Sequence, residues 1–391
     1  LLARAGWSVA LVEKQVFPRR KVCGECIAAS NLPLLEGLGL GEVLASVAGP
    51  PLRQMALLRG DEALQAQLPR AAEPRYPWGR ALGRETLDVL LVDQARRAGA
   101  DVFQPCSVLA VAGGPGQWRL TVRTPDRPAA ELQARVAIAA HGSWETLPSG
   151  RARRRERRSG ADLFAFKANF RHTSLVPGCL PVLALDGGYG GMVLAEGGLA
   201  TIACCIRRDR LQALRAHTGG RPAGDIVEAW LRSHCAGVEQ ALRGAQREGP
   251  WLASGPIDPG IRLRSTDLLL RVGNAAGEAH PILGEGISMA LQSAGLLCRQ
   301  LLQAGGAPVP ADAAAHAGVA RRYAAQWRRQ FAPRLALAAA FAHLAMRPAG
   351  AAVLMAIVRR WPGVLTQAAR WGGKVRSAAK PADYGFGSLG P

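Results

Sequence analysis

The sequence predicts an α/β protein in which a domain of strand–turn–helix units is interrupted by a mostly antiparallel β-sheet and followed by helices. Three observations carry that class. First, the apolar run Leu268–Val272 reads as a buried strand, and Gly273, Gly277, Pro281, Gly284 and Gly286 impose tight turns after it. From Ile287 onward the apolar residues Ile287, Ala290, Leu291, Ala294, Leu297 and Leu301 recur at helical spacing. Second, Trp7–Val12 reads as a strand with Glu13 at its C-terminal end. Third, Leu163, Ala165 and Lys167 alternate with Phe164, Phe166 and Ala168, which is the period of a strand with two distinct faces.

A strand feeding a glycine-lined turn and a helix gathers free backbone N–H groups and a positive helix end at one spot. That spot suits a phosphate, or a ring that gains negative charge. On pattern alone, a turn without a ligand is an equal reading.

Taken in order, Leu1–Gly6 reads as the last turns of a helix ended by Gly6. In a dinucleotide-binding βαβ unit, an acidic residue placed as Glu13 is accepts hydrogen bonds from the adenosine ribose; otherwise it is a solvated charge ending a strand. The glycine fingerprint of such a unit lies roughly 20 residues earlier. The expectation is therefore that the sequence begins inside its first βαβ unit, without the first strand and phosphate loop. A short helix is predicted at Leu34–Leu44, and strands at Gln54–Arg59 and Leu64–Leu68. Leu87, Leu90, Leu91, Ala95 and Ala98 mark a helix ended by Gly99. Strands follow at Val108–Val111, Trp118–Arg123 and Val136–Ala140.

The run Arg151–Arg158, six arginines in eight residues, reads as a solvated inter-domain loop, with anion or membrane-surface contact as the minority reading. Two strands flank the Glu196–Gly198 turn, 209–247 reads as helices, and Pro250–Pro259 as a connector back to the first domain. Beyond 305 the chain is helical, with two helices broken at Arg347–Pro348. Their apolar pieces, Leu335–Met346 and Ala349–Val358, are too short to span a bilayer. They can pack on the main body, rest on a membrane, or cover an apolar tunnel.

The block GNAAGEAHPILGEGISMALQSA, 273–294, resembles the second flavin-binding motif of the FAD-dependent oxidoreductases that include aromatic-ring hydroxylases and geranylgeranyl reductases. The resemblance implies a Rossmann-type FAD-binding domain, flavin monooxygenase-like and built from discontinuous segments. It implies cofactor contacts at Gly273, Asn274, Ala275, Gly277, Pro281, Gly284, Gly286 and Ile287. Asn274 stands where the family has an acidic residue for the flavin ribitol; its amide can bind a hydroxyl but carries no charge.

Three further segments are similar to the family. RKVCGE resembles its loop beside the flavin, which implies Arg20, Lys21, Gly24 and Glu25; an exposed basic loop is the alternative. GRETLD resembles its R-x-x-(F/L)-D helix start, which implies Arg84 near the cofactor phosphates. An arginine at the positive end of a helix also hints at a bound anion. AAHGSWE resembles the turn that closes on the flavin, with His141 in the usual aspartate position and Gly142 beside it. LDGGYGGMV resembles the substrate-domain strands that roof the flavin, which makes Tyr189 and Met192 candidates for the pocket wall; for Met192 core packing is at least as good a reading.

Lys and Arg number 49 against 29 Asp and Glu, a net charge of +20 that favours anionic partners. No nucleic-acid-binding motif is present, and aromatic residues, at 5%, give few stacking platforms, so nucleic acid is not an expected partner. Cys23 and Cys26 have C-x-x-C spacing, but no second pair or histidine stands at zinc-site spacing, so no metal is expected. Two reduced thiols in a cytosolic enzyme is the plain reading, and a redox disulfide the other.

The expected division is 1–160 as the first part of the FAD-binding domain, with 52–70 free to join the substrate sheet, then 161–254 as the substrate domain, 255–305 as the second FAD-binding part, and 306–391 as a helical region. The expected function, by resemblance, is an FAD- and NAD(P)H-dependent monooxygenase that hydroxylates a small aromatic or polyketide-like substrate. The alternatives are a flavin-dependent reductase of polyprenyl or lipid double bonds, and a cofactor-free remnant or binding protein. The expected location is cytoplasmic, with the C-terminal helices packed on the main body as the favoured reading and peripheral membrane contact through them as the lesser alternative. A chain that short, without its phosphate loop, is expected to bind FAD poorly or not at all.

Overall fold

Apolar runs near the N-terminus and before the glycine turn form short parallel ladders. The computed structural model describes residues 1–143, 159–216, 218–304 and 313–375. Ala10–Val12 pairs with Asp101–Phe103, and Ile138–Ala139 with Leu270–Arg271, all parallel. These strands are shorter than the apolar runs suggest, although bonds from Asp101 N–H to the Val9 carbonyl and from Glu13 N–H to the Phe103 carbonyl lengthen the first ladder. The predicted helix at Leu34–Leu44 is two helices, α1 (Leu32–Gly37) and α2 (Gly41–Val47). Gly39 breaks it, holding a φ of 82° that an L side chain rarely adopts. Helix α3 (Arg84–Arg97) buries Leu87 and Val92 and stops before Gly99. Ser107–Ala112, Trp118–Arg123 and Ala130–Ala134 form a meander whose third strand the sequence does not announce, because its mostly exposed residues carry little apolar signal.

The alternation at 163–168 becomes the second strand of a seven-stranded sheet. Its order is Gln246–Ile257, Leu163–Arg171, Ala200–Arg207, Gly188–Leu194, Cys179–Leu185, Gln54–Arg59, Glu62–Gln67. Pairing is antiparallel except between Cys179–Leu185 and Gln54–Arg59. The expected connector Pro250–Pro259 is instead mostly edge strand. Pro250 and Pro256 are tolerated because an edge strand has a side without ladder partners, and the register shifts beside Lys167–Asn169 absorb the irregularity.

Helices α4 (Arg208–Ala216), α5 (Ala223–His234) and α6 (Ala236–Leu242) cover one face, where Phe166, Phe170, Ile202 and Ile206 pack with Val227, Trp230 and Leu231.

After the glycine turn, α7 (Gly286–Gln303) runs against α8 (Ala313–Ala345), whose Tyr323, Trp327 and Phe331 are fully buried. The chain then bends by 108° into α9 (Pro348–Arg360), the break expected at Arg347–Pro348, and ends in α10 (Gly363–Trp371). Residues of α8 and α9 cover the second face of the large sheet, where Leu163, Ala165, Tyr189 and Cys205 meet Ala342, Met346, Leu354 and Val358. Among the described residues no single helix is long and apolar enough to cross a membrane. The arginine run 151–158 lies outside the described residues.

Candidate cofactor site

The end of strand Ala10–Val12, the loop after it and the start of α3 come together. Lys21 lies 3.4 Å from Asp88, and the Arg84 guanidinium meets the same carboxylate through two hydrogen bonds of 2.8 and 2.9 Å. Arg19 and Lys21 both stand near the ring of Phe17. Burial, with Arg84 alongside, pushes the Lys21 ammonium below its ordinary range. Lys21 and Arg84 thus share one carboxylate, and the buried Nε of Arg19, close enough to act on Lys21, has no hydrogen-bond partner. An unpaired buried N–H of this kind is costly unless an acceptor arrives. Arg19 was missed at the sequence level; its signal was adjacency to the Arg20–Lys21 pair.

Glu13 sits at this end of the strand, its Oε1 accepting from Gln15 N–H at 2.7 Å. Arg20 is drawn elsewhere. It bonds Glu85 at 3.0 Å and the Glu248 carbonyl, so it ties the loop to the edge strand rather than joining the cationic group.

Glu25 also turns inward. At φ 57° and fully buried, it accepts bonds from Lys167 Nζ, from Thr201 Oγ1 and, at 3.2 Å, from Arg84 N–H. Thr201 further contacts Asn169. Lys167 is 1% exposed, and the sequence reading gave it no role. A lysine on the otherwise apolar Leu163–Ala165 face was the available signal, because a buried lysine needs a partner.

The glycine turn is held from below. Gly273 N–H donates to Ser293 Oγ at 2.8 Å, and Asn274 Nδ2 donates to Ser143 Oγ at 2.8 Å. Ser143 in turn donates to Glu278, which pairs with Arg262. The turn containing His141 and Gly142 is thereby fastened to the turn containing Asn274 and Ala275. Ala275 itself is buried. Gly277 is required by packing, since a Cβ there would lie 2.5 Å from the Trp327 ring. Ile287 is buried with Ile27, Leu35, Leu82 and Leu87, so it anchors α7 instead of facing open space. Pro281 opens a single helical turn that Gly284 ends at φ 61°.

At the start of α7 no side chain caps the helix. Glu285 lies fully buried there, 3.8 Å from Arg334 and 3.6 Å from Lys374, and burial raises its carboxyl against the pull of both cations. The segment after α10 reaches this turn, with Ser30 Oγ donating to the Gly373 carbonyl at 2.9 Å. Burial pushes the Cys26 thiol nearby up to about 11; Cys23 and Cys26 are separate thiols.

On the sheet face toward this region, Tyr189 Oη lies 3.3 Å from His280 Nδ1. Burial raises the phenol well above its usual range, and burial, with His343 opposite, lowers His280 to about 4. Met192, three positions along the same strand, points to the opposite face and packs with the residues under α4–α6. Strand alternation therefore removes it from any pocket that Tyr189 lines.

The residues fit a flavin dinucleotide. A Cβ added at Gly24, Gly142 or Gly286 meets nothing within 4 Å, so no side chain packs over these backbones. The cationic group of Arg19, Lys21 and Arg84 suits a pyrophosphate, and the uncapped α7 start suits an anionic ring. Among the described residues no group of three His, Cys, Asp or Glu side chains could hold a metal.

Comparison with solved structures defines the class of fold. The chain superposes on the myxobacterial chondrochloren halogenase, a variant FAD-dependent halogenase, with a TM-score of 0.70 at 19% identity, covering 84% of this chain and 75% of that one. It also superposes on a probable FAD-dependent monooxygenase from Pseudomonas aeruginosa with a TM-score of 0.63 at 16% identity, covering 95% and 94%. The fold is that of FAD-binding halogenases and monooxygenases, with a sheet-rich second domain and C-terminal helices. In sequence, the chain is 26% identical over 327 residues to conditioned medium factor receptor 1 of Dictyostelium discoideum, over 78% of this chain. The chain spans about 60% of the length of that relative. No family model matches.

Proposed function

We propose that the chain is an FAD-dependent oxidoreductase of the oxygen-activating, monooxygenase type, reduced by NAD(P)H and acting on a small aromatic or polyketide-like substrate. The observation that carries this reading is the cationic group at the start of α3, where Lys21 and Arg84 share the Asp88 carboxylate and the buried Nε of neighbouring Arg19 has no partner. Arg19, Lys21 and Arg84 would hold the pyrophosphate, Glu13 the ribose, and the linked Ser143 and Asn274 the ribitol. Bound FAD would supply electron transfer and oxygen activation, as the cofactor does in such enzymes.

The chain's own part is binding and orientation. The first N–H groups of α7, which no side chain caps, would favour negative charge by roughly 0.3–2 kcal/mol. Burial favours the neutral forms of the Tyr189 phenol and the His280 imidazole, so the pair offers an O–H and an imidazole, not an ion. This suits a substrate that is mostly apolar with a few hydroxyls. Halogenation of the same class of substrate is the second reading, favoured by the fold shared with the chondrochloren halogenase.

The test is flavin uptake by the purified chain, followed by product analysis with NAD(P)H, oxygen and aromatic substrates, with and without chloride or bromide. Flavin bound and a hydroxylated product is the expected result. A halogenated product moves the assignment to the second reading, and a colourless protein that takes up no FAD ends both.

A further inference from the structure

The C-terminal helices carry a surface that the cofactor site does not use. Helix α9 buries Ala351, Leu354, Met355 and Val358 against the sheet. Its opposite side is exposed and equally apolar: Ala349, Ala352, Val353, Ala356 and Ile357 recur at helical spacing with no charge among them. Val353 is 57% exposed, Ile357 37%, and Trp361, next on the same stripe, 58%. At the bend, Leu344 adds 44%. Surface helices ordinarily turn charged residues to water, and a helix that is apolar all round is ordinarily covered on all sides.

The rim of this stripe is basic. Arg347 precedes α9, Arg359 and Arg360 end it, and Arg370 follows on α10, all exposed. No Asp or Glu occurs from 313 to 374. Arg360 sits over the Trp361 ring, and Trp371 is 59% exposed nearby in sequence. Arg359 reaches across to Glu62. The acidic residues Asp61, Glu62 and Asp186 line a groove of about 370 Å³ with Ala351, on the side of α9 away from the stripe.

We infer that this face docks on an anionic lipid bilayer, with Val353, Ile357 and Trp361 entering the headgroup–acyl boundary and Arg347 and Arg360 meeting lipid phosphates. Apolar residues on one helix side, tryptophan at the margin and arginine at the ends are what an interfacial helix requires. A second copy is a poorer occupant, because a twofold contact would bring the same arginines face to face. The 108° bend and the buried inner side of α9 place the helix along a bilayer, not across it.

The experiment is co-sedimentation of the full chain with phosphatidylcholine vesicles containing about 30 mol% phosphatidylglycerol, and with phosphatidylcholine alone. The chain is expected on the anionic vesicles, with much less on the neutral ones. Val353→Asp combined with Ile357→Asp is expected to lower the partition by about tenfold or more, because both side chains would be buried in the bilayer on binding. Both positions face solvent, so unchanged circular dichroism and melting temperature are expected and are checked alongside. Arg347→Glu with Arg360→Glu is expected to remove the preference for anionic lipid. Three results overturn the inference: no binding, binding that the aspartate pair leaves intact, or equal binding to neutral vesicles. A dimer in solution that the aspartate pair dissociates, without vesicle binding, assigns the face to a second copy instead.

Discussion

Under α4–α6 the large sheet is closed with Phe166, Phe170, Ile202, Ile206 and Met192, packed against Trp230 and Leu231. The alternate residues of the same strands make the other face, and there Lys167, Asn169, Thr201 and Tyr189 are just as deeply buried. The first face is finished by helices that follow its own strands in sequence. The second is finished only when distant pieces arrive: Glu25 from the N-terminal loop, His280 from the glycine turn, and α8 and α9 from the C-terminus. Burying polar atoms is costly unless each finds a partner. Their concentration on one face therefore marks where the N-terminal loop and the glycine turn pack onto the sheet.

Changing one ion on the polar face should have the largest effect. Lys167→Met leaves the Glu25 carboxylate buried without its cation, and a loss of about 3–5 kcal/mol is expected in urea unfolding. Adding Glu25→Gln should return part of that loss, since both ions are then gone. If the double variant is no more stable than the single one, the pair is not what joins loop to sheet. On the apolar face, Phe166→Ala should cost about 3–5 kcal/mol through lost burial and a cavity, with no partner change able to restore it.

A smaller contrast between the faces appears with pH. His280 is lowered to about 4 by burial, with His343 adding, whereas the unfolded imidazole titrates near its ordinary 6.5. The unfolded chain therefore takes up the proton first. The stability from the neutral imidazole is fully present above about 6.5 and is lost as pH falls toward about 4, a change on the order of 2–3 kcal/mol. Melting curves across that window should show the loss, and His280→Gln should flatten it relative to the native chain. The smallest effect is expected at Met192→Leu, below about 1.5 kcal/mol and without consequence for flavin uptake, because Met192 lies on the face away from the site.

Local periodicity made much of this legible. The strand–glycine–helix succession at 268–303 and the two-faced strand at 163–171 announce themselves within a dozen residues, and the structure has both. The pairing of Glu25 with Lys167 spans 142 positions, and no local rule connects them. A lysine in an apolar stripe was visible, but not its partner. Counting parity along the strand would have separated Tyr189 from Met192. Gly277 looked like a ligand-facing glycine because a close approach was evident, while the approaching group, Trp327, comes from a helix some fifty residues on. Arg20 shared the basic cluster in sequence, and only the fold shows it turned toward Glu85 and Glu248.

The proposed flavin site is tested most directly at Gly24 and Gly286, where an added Cβ meets no atom within 4 Å. Melting temperatures of Gly24→Val and Gly286→Val would be taken with and without FAD, beside the native chain. Without FAD all three should melt alike. With FAD at about 100 times its dissociation constant, the native chain should gain about 2.7 kcal/mol and the valine variants little or none. Variants that keep the full FAD-dependent shift would contradict a flavin lying over those backbones.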